Sequence, residues 1–267
     1  MSALVYPKFI GRLANNMFQI AACIGYAKKY GVKWGIKKGY VEQGFHSNQV
    51  DRFMPDLPYC GGNFRRYSEH QRGWDNEWFN YHEIPFFPEG VELVGFFQSE
   101  KYFENAKQEV RDTFGQYVRW NEKYGEPVEY CSVHVRRGDY VQHEGSFPPL
   151  THKYLDEAIR IMCKGVKNFI VCSDDIAWCK ENIRFPENVG VTFYSGPDEW
   201  DDFSKMASCD HHIIANSTFS WWSAYLGRNH NKVVITPSAE TWFGPDAGVK
   251  GPVYDLIPEG WIQIHTR

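Results

Sequence analysis

The residues best suited to chemistry form four polar clusters, each directly after a short apolar segment. In chain order they are Arg136-Arg137-Gly138-Asp139, Ser173-Asp174-Asp175, Ser195-Gly196 and Asn216-Ser217-Thr218. The first cluster places two guanidinium groups side by side, and these groups bind phosphate oxygens in bidentate geometry. It therefore predicts an anion site built on Arg136 and Arg137. An internal Arg–Asp network through Asp139 that holds a turn explains the same residues equally well.

The last cluster supplies hydroxyl groups where an apolar strand runs into a helix. The first turn of a helix offers unpaired N–H groups and the positive end of the helix dipole, so it attracts anions. Helix capping explains one of the three hydroxyls at Ser217, Thr218 and Ser220, but not all of them. Together with the arginines, this pattern favours a diphosphate ligand. Near the N terminus, Gly11 to Asn16 gives weaker evidence for a ligand, since a turn with an N-cap from Asn15 or Asn16 explains it more simply.

Several other chemistries lack their residues. A Mg²⁺-diphosphate site usually needs spaced carboxylates, but the sequence has only the adjacent pairs Asp174-Asp175 and Asp201-Asp202 and no Asp-x-Asp. Consecutive residues of a strand point to opposite faces, so Asp210-His211-His212 is a poor metal site. The Walker A, G-x-G-x-x-G and G-x-S-x-G patterns are absent. We expect no metal and no other cofactor.

The clusters are positioned by a regular alternation of predicted strands and helices. The predicted strands are Tyr130–Val135, Asn168–Cys172, Val191–Tyr194, His212–Ala215 and Lys232–Thr236, and the predicted helices are Thr151–Cys163, Ala177–Ile183, Asp202–Ser208 and Thr218–Leu226. This order predicts a parallel sheet with crossover helices. Ligands of such sheets bind at the carboxyl ends of the strands, where the four clusters fall.

The N-terminal part begins with a predicted strand over Leu4–Ile10, a glycine turn and a helix over Asn15–Tyr30. Residues 44–88 are rich in Asn, Gly, Pro and aromatic residues and predict long loops and short helices. Gly and Pro near residue 125 indicate a boundary. We therefore predict an α/β protein with two Rossmann-like lobes, residues 1–125 and 126–267.

Composition narrows the function further. A formal charge of −4 argues against a nucleic-acid-binding protein. No apolar run approaches the ~18 residues of a membrane span, and we see no secretory signal. Seven cysteines without a C-x-x-C pair indicate free thiols in a reducing compartment. We expect a cytoplasmic protein; peripheral contact with the inner face of a membrane and the oligomeric state are left open.

The motifs resemble those of a known enzyme family. His134 to Tyr140, read as HVRRGDY, resembles the first signature of glycosyltransferase family 11, the α-1,2-fucosyltransferases. Gly11 to Gln19 is similar to the family's G-R-L-G-N-Q-M-F block, with Ala14 and Asn16 as departures. The blocks Gly95–Phe103, Ser173–Asp175, Trp178-Cys179 and Asn216–Trp222 follow in the family's order.

The resemblance implies a GT-B-like architecture with the donor site in the cleft between two lobes. Residues 1–125 would form the acceptor side and residues 126–267 the GDP-fucose-binding lobe. It further implies a metal-independent, inverting transfer of L-fucose from GDP-β-L-fucose to a terminal galactoside of a glycan. A transferase for another GDP-hexose, a catalytically inactive glycan-binding descendant and a hydrolase of the sugar nucleotide are the alternatives. The acceptor glycan is not readable from residues 44–88.

The resemblance also implies residue roles. Arg136 would bind the β-phosphate and stabilise the charge on leaving GDP. Asp202 matches in spacing an aspartate that reads guanine, and Glu144 matches in spacing a catalytic glutamate of a related α-1,6-fucosyltransferase. Asp139 and His143 are the other candidate bases, and a mechanism without a base is also open. The implied donor-binding residues are His134, Arg137, Asn15, Asn16, Asp202, Ser217, Thr218 and Phe219.

Overall fold

The computed structural model describes residues 3–37, 49–69, 79–121, 128–249 and 251–266. The chain divides into two compact units. Unit 1 comprises Met1–Tyr117 and Val253–Pro258, and unit 2 comprises Val118–Pro252 and Glu259–Arg267. The predicted boundary between residues 125 and 126 lies outside the described residues. The assignment of the acceptor to one lobe and the donor to the other stays a prediction.

Unit 1 contains a parallel four-stranded sheet in the order β2-β1-β4-β3. Its strands are β1 (Leu4–Lys8), β2 (Lys33–Trp34), β3 (Arg65–Ser68) and β4 (Val91–Val94). Its helices are α1 (Leu13–Tyr30), α2 (Gln49–Phe53), a 3₁₀ helix (Glu100–Ala106) and α3 (Lys107–Gly115). The prediction of only loops and short helices for residues 44–88 is wrong at β3, since Tyr67 is buried there and pairs in register with Leu93.

Unit 2 contains a parallel six-stranded sheet in the order β10-β9-β8-β5-β6-β7. Its strands are β5 (Tyr130–Val135), β6 (Asn168–Ser173), β7 (Gly190–Tyr194), β8 (His211–Ile213), β9 (Val234–Pro237) and β10 (Ile262–Ile264). Its helices are α4 (Gly138–Gln142), α5 (His152–Met162), α6 (Ile176–Asn182), α7 (Glu199–Ala207) and α8 (Thr218–Leu226), with short 3₁₀ helices at Pro245–Ala247 in this unit and at Tyr254–Leu256 in unit 1. The predicted α/β class with parallel sheets and crossover helices is confirmed.

The buried core of unit 2 produces the apolar pattern that predicts its strands and helices. Val133, Val171, Ile213 and Ile235 of four adjacent strands are fully buried and belong to one apolar cluster with residues of α5. Helix α7 begins three residues before the predicted start because Asp198 caps it, accepting the N–H of Asp201 at 2.8 Å. No helix among the described residues is long and apolar enough to cross a membrane.

Candidate active site

The sheet order of unit 2 brings the predicted polar clusters to neighbouring strand ends. Strands β8, β5, β6 and β7 are adjacent. Val135 and Ser173 are register partners at the ends of β5 and β6. The residues that follow them therefore meet at one edge of the sheet.

Arg136 lies at the centre of this edge. Its Nη1 is 2.7 Å from Oδ2 of Asp174, and its Nη2 donates to Oδ1 of Asp139 at 2.6 Å. The internal Arg–Asp network that the sequence left open is thus present. These contacts use two of the five N–H donors of a guanidinium group, and the side chain is 23% exposed. The network orients the group, so the arrangement is compatible with an anion bound by the remaining donors.

Arg137 turns to the side of α6. Its backbone N–H donates to Oδ1 of Asp174 at 2.8 Å, and its Nε donates to Oδ2 of Asp175 at 3.2 Å. Its guanidinium group lies 3.9 Å from the ring centroid of Trp178. These contacts hold the turn after β5, and the donor-binding role of Arg137 stays a prediction.

His134 is a buried histidine of this edge with a strongly lowered pKa. Burial lowers the pKa of this histidine to about 4, with Asp174 acting in the opposite direction and Arg136 lowering it further. The imidazole is therefore neutral at pH 7. Its Nδ1 is buried and has no hydrogen-bond partner among the described residues. Its ring lies 5.8 Å from that of Phe219 on α8, which brings two predicted donor-binding residues together.

Tyr140 connects Arg136 to Asn216, the residue before the N-cap of α8. Its ring lies 5.7 Å from the guanidinium carbon of Arg136, and its hydroxyl donates to the carbonyl oxygen of Asn216 at 3.0 Å. Burial raises the pKa of Tyr140 to about 12, so the hydroxyl keeps its proton. Ser217 is the N-cap of α8, but its side chain makes no capping hydrogen bond. The Ser217 hydroxyl therefore does not cap this helix.

Asn216 has a role that the sequence did not reveal. Its Nδ2 donates to the carbonyl oxygens of Pro148 at 3.1 Å and Trp242 at 3.0 Å. The residue is 3% exposed, and its Oδ1 has no partner among the described residues. The two partners lie 68 and 26 residues away in the chain, so no local pattern could have predicted this bridge.

Asp202 lies in the first turn of α7. Its Oδ1 accepts the N–H of Gly196 at 2.7 Å, and Gly196 belongs to the cluster after β7. Burial raises the pKa of this carboxyl group, and the hydrogen bond from Gly196 opposes that shift. The neighbouring Asp201 accepts the hydroxyl of Tyr194 at 2.5 Å and pairs with Arg119 at 3.3 Å. Asp202 therefore lies at the same edge as Arg136, and its guanine contact stays a prediction.

The candidate bases lie after β5. Asp139 is paired with Arg136. His143 and Glu144 are exposed in the turn that follows α4. The carbonyl oxygen of His143 accepts the N–H groups of Ser146 at 2.9 Å and Phe147 at 2.8 Å, which fixes this turn. The structure thus presents Glu144 to solvent on a hydrogen-bonded turn, and its role as base stays a prediction.

In unit 1, the predicted Asn15 and Asn16 bind protein groups. Asn16 Nδ2 donates to the carbonyl oxygen of Ile10 and to Oε1 of Gln19, both at 3.2 Å. Asn15 Oδ1 accepts from Nε2 of Gln98 at 3.0 Å. The N-cap expected from one of these asparagines is wrong, because the N-cap is Arg12 and no side chain caps α1 from that position. Their contact with a donor stays a prediction.

Known proteins resemble this chain along most of its length. The model of glycosyl transferase family 11 matches residues 65–246, which is more than half of the chain. The protein is a glycosyltransferase, and the chain belongs to glycosyltransferase family 11. No group of three or more metal-ligating side chains occurs within the described ranges.

Two sequence relatives are named as glycosyltransferases, and one solved structure matches most of the chain. The α-1,2-colitosyltransferase of Escherichia coli is 29% identical, over 98% of this chain and 99% of that protein. Galactoside α-(1,2)-fucosyltransferase 2 of Bos taurus is 28% identical, over 81% of this chain and 67% of that protein. The crystal structure of fucosyltransferase NodZ from Bradyrhizobium has a TM-score of 0.46 at 14% identity, over 84% of this chain and 91% of that chain.

Proposed function

We propose that this family 11 enzyme transfers L-fucose from GDP-β-L-fucose to the 2-hydroxyl group of a terminal galactoside, with inversion and without a metal ion. The observation that carries the proposal is the position of Arg136. It lies at the carboxyl end of β5 and is joined through Tyr140 to the start of α8. A guanidinium group and a helix N terminus both stabilise the charge that develops on the leaving diphosphate.

We assign the remaining site residues to different parts of the donor. His134, whose imidazole is neutral, lies near the ribose or the guanine. Asp202 accepts the N1 and N2 hydrogens of guanine, which adenine does not offer in the same pattern. Ser217, Thr218 and Phe219 line the diphosphate.

The acceptor side needs one proton transfer. The anomeric carbon of fucose gains positive charge as the bond to GDP breaks, and the galactoside oxygen attacks from the opposite face. Glu144 takes the hydroxyl proton, since its carboxylate is exposed on a fixed turn close in the chain to Arg136. A single displacement inverts the configuration, so no covalent intermediate forms.

A second donor is favoured by one relative. The named α-1,2-colitosyltransferase aligns with 98% of this chain, and colitose is fucose that lacks the 3-hydroxyl group. The second candidate function is therefore transfer of colitose from its GDP-activated form. The two functions share the proposed diphosphate site and differ at the 3-position of the transferred sugar.

Mass spectrometry of acceptor reactions tests both candidates. Lactose is incubated with GDP-fucose or with GDP-colitose in buffer containing EDTA, and the product is digested with linkage-specific glycosidases. The expected product is a trisaccharide in which lactose carries an α-1,2-linked fucose. Faster formation of the colitosyl product would favour the second candidate. Sugar nucleotide hydrolysis without transfer to any galactoside, or a strict need for Mg²⁺, would contradict the proposal.

A further inference from the structure

An aromatic surface lies beside the candidate active site. The rings of Tyr140 and Phe147 stack, with centroids 5.3 Å apart and planes at 27°. The ring of Phe243 meets Phe147 edge-on at a centroid distance of 6.0 Å. Phe147 is 37% exposed. We call these three residues the aromatic platform.

The platform is built on closely packed backbone. The N–H of Gly244 donates to the carbonyl oxygen of Ser146 at 2.9 Å, and the N–H of Asp246 donates to that of Gly145 at 2.8 Å. A Cβ atom on Gly244 would lie only 2.7 Å from the carbonyl carbon of Gly145. The two segments that carry Phe147 and Phe243 can therefore approach this closely only because residue 244 is a glycine.

The platform is also tied to the start of α8. Asn216 donates to the carbonyl oxygen of Pro148, directly after Phe147, and to that of Trp242, directly before Phe243. Its own carbonyl oxygen accepts the hydroxyl of Tyr140. One residue thus fixes all three segments of the platform relative to the helix that we propose as the diphosphate site.

The geometry points to an acceptor subsite: the aromatic platform binds the pyranose ring of the galactoside by stacking against its C–H face. This inference rests on the proposed function. The donor sugar is attached to the β-phosphate, so the acceptor must bind within one sugar ring of Arg136. The Tyr140 ring is 5.7 Å from that guanidinium group, and exposed aromatic surface with polar edges is typical of binding sites.

Carboxylates at the edge of the platform suit a hydroxyl-rich ligand. Glu144 is exposed next to Gly145. The carboxylate of the exposed Asp246 lies against Gly145, where a Cβ would be 2.9 Å from its Cγ. Carboxylate oxygens accept hydrogen bonds from sugar hydroxyls. The inference places acceptor contacts in unit 2.

Substitution of Phe147 tests the subsite. Phe147→Ala removes the exposed ring and is expected to raise the KM for lactose about tenfold. The affinity for GDP, measured by calorimetry, is expected to stay within about twofold, because the ring partners of Phe147, Tyr140 and Phe243, are not among the predicted donor-binding residues. Phe147→Tyr keeps the ring and is expected to restore the KM. Ile262→Ala is the control, since Ile262 is an exposed apolar side chain on β10, an edge strand of the unit 2 sheet.

Binding is also measured without turnover, so that failures are separable. Saturation-transfer NMR with methyl β-D-galactopyranoside and GDP is expected to show contact in the wild type and to lose it in Phe147→Ala. An unchanged lactose KM and an unchanged NMR signal in Phe147→Ala would overturn the subsite. An equal loss of GDP affinity would overturn it too, because the ring would then serve the donor or the fold. Absence of transfer by the wild type contradicts the proposed function instead.

Discussion

The polar motif of unit 1 and the polar edge of unit 2 use similar side chains in different ways. In unit 1, Asn16 and Gln19 both donate to the carbonyl oxygen of Ile10, so these amides hold the turn before α1. In unit 2, His134 and Asn216 are equally buried, yet each keeps one polar atom without a partner among the described residues. Buried polar atoms are rarely left unpaired. Asn16 and Gln19 therefore maintain a turn, and we propose that the unit 2 edge binds the donor.

Removing the charge at the centre of the unit 2 edge has the largest expected effect. Arg136→Ala is expected to raise the activation free energy of kcat/KM by about 3 kcal/mol, a decrease of roughly 160-fold, because one preorganised donor to the leaving group is lost. Arg136→Lys keeps the charge without the bidentate fork and is expected to recover only part of the rate. Steady-state kinetics measure both variants. Arg160→Ala, which breaks an exposed pair with Glu157, is the control, and a tenfold or smaller effect of Arg136→Ala would remove the proposed role.

The neutral histidine gives the edge a pH dependence. The pKa of His134 is about 4 in the folded chain, against an ordinary value of 6.5 in the unfolded chain. The unfolded chain therefore binds the proton first, and stability falls as the pH drops from about 6.5 to about 4. Between pH 7 and pH 5 this group alone is expected to cost about 2 kcal/mol. Denaturant unfolding at both pH values is expected to show a smaller loss in His134→Gln, and equal losses would contradict the assignment.

Substitution in the unit 1 motif is expected to lower the free energy of unfolding. Asn16→Ala removes two hydrogen bonds that close the turn around Ile10. The free energy of unfolding is expected to fall by about 1–2 kcal/mol. Denaturant titration measures this change, with Asn105→Ala as a control that removes a single partly buried side-chain bond to Gly25. If stability is unchanged but the KM for the donor rises, Asn16 binds the donor and the contrast between the two regions fails.

The smallest expected effect concerns the nucleobase. Asp202→Asn replaces one acceptor oxygen with a donor, so it is expected to reduce the preference for GDP over ADP about tenfold. The other oxygen still accepts the N–H of Gly196 if the amide orients that way. Competition of GDP and ADP against the donor measures the preference. An unchanged preference would place guanine recognition elsewhere.

The sequence predicted the regular half of the fold well because burial imposed a clear period there. Helix α8 spans the predicted residues Thr218–Leu226, and β5 spans the predicted Tyr130–Val135. Strand β3 escaped prediction because Arg65 and Arg66 are exposed, and no apolar run marks it. It forms by pairing with β4, where Arg66 Nε donates to Oε2 of Glu92 at 2.6 Å.

The sequence indicated the residues of the candidate site but not the hydrogen bonds that join them. Arg136 and Ser217 stood out because charges and hydroxyls followed apolar strands. The bridges from Asn216 to Pro148 and Trp242, and from Tyr140 to Asn216, depend on contacts between distant segments. Such contacts arise from sheet order and helix packing, which no local pattern encodes.

Calorimetric titration of the wild-type protein with GDP, ADP and UDP, in EDTA, tests the central claim most directly. The account predicts that GDP binds more tightly than ADP and UDP, and that the affinity does not change when Mg²⁺ is added. Equal binding of the three nucleotides, or binding of GDP only with a divalent cation, would contradict a metal-independent guanosine diphosphate site at the carboxyl edge of the unit 2 sheet.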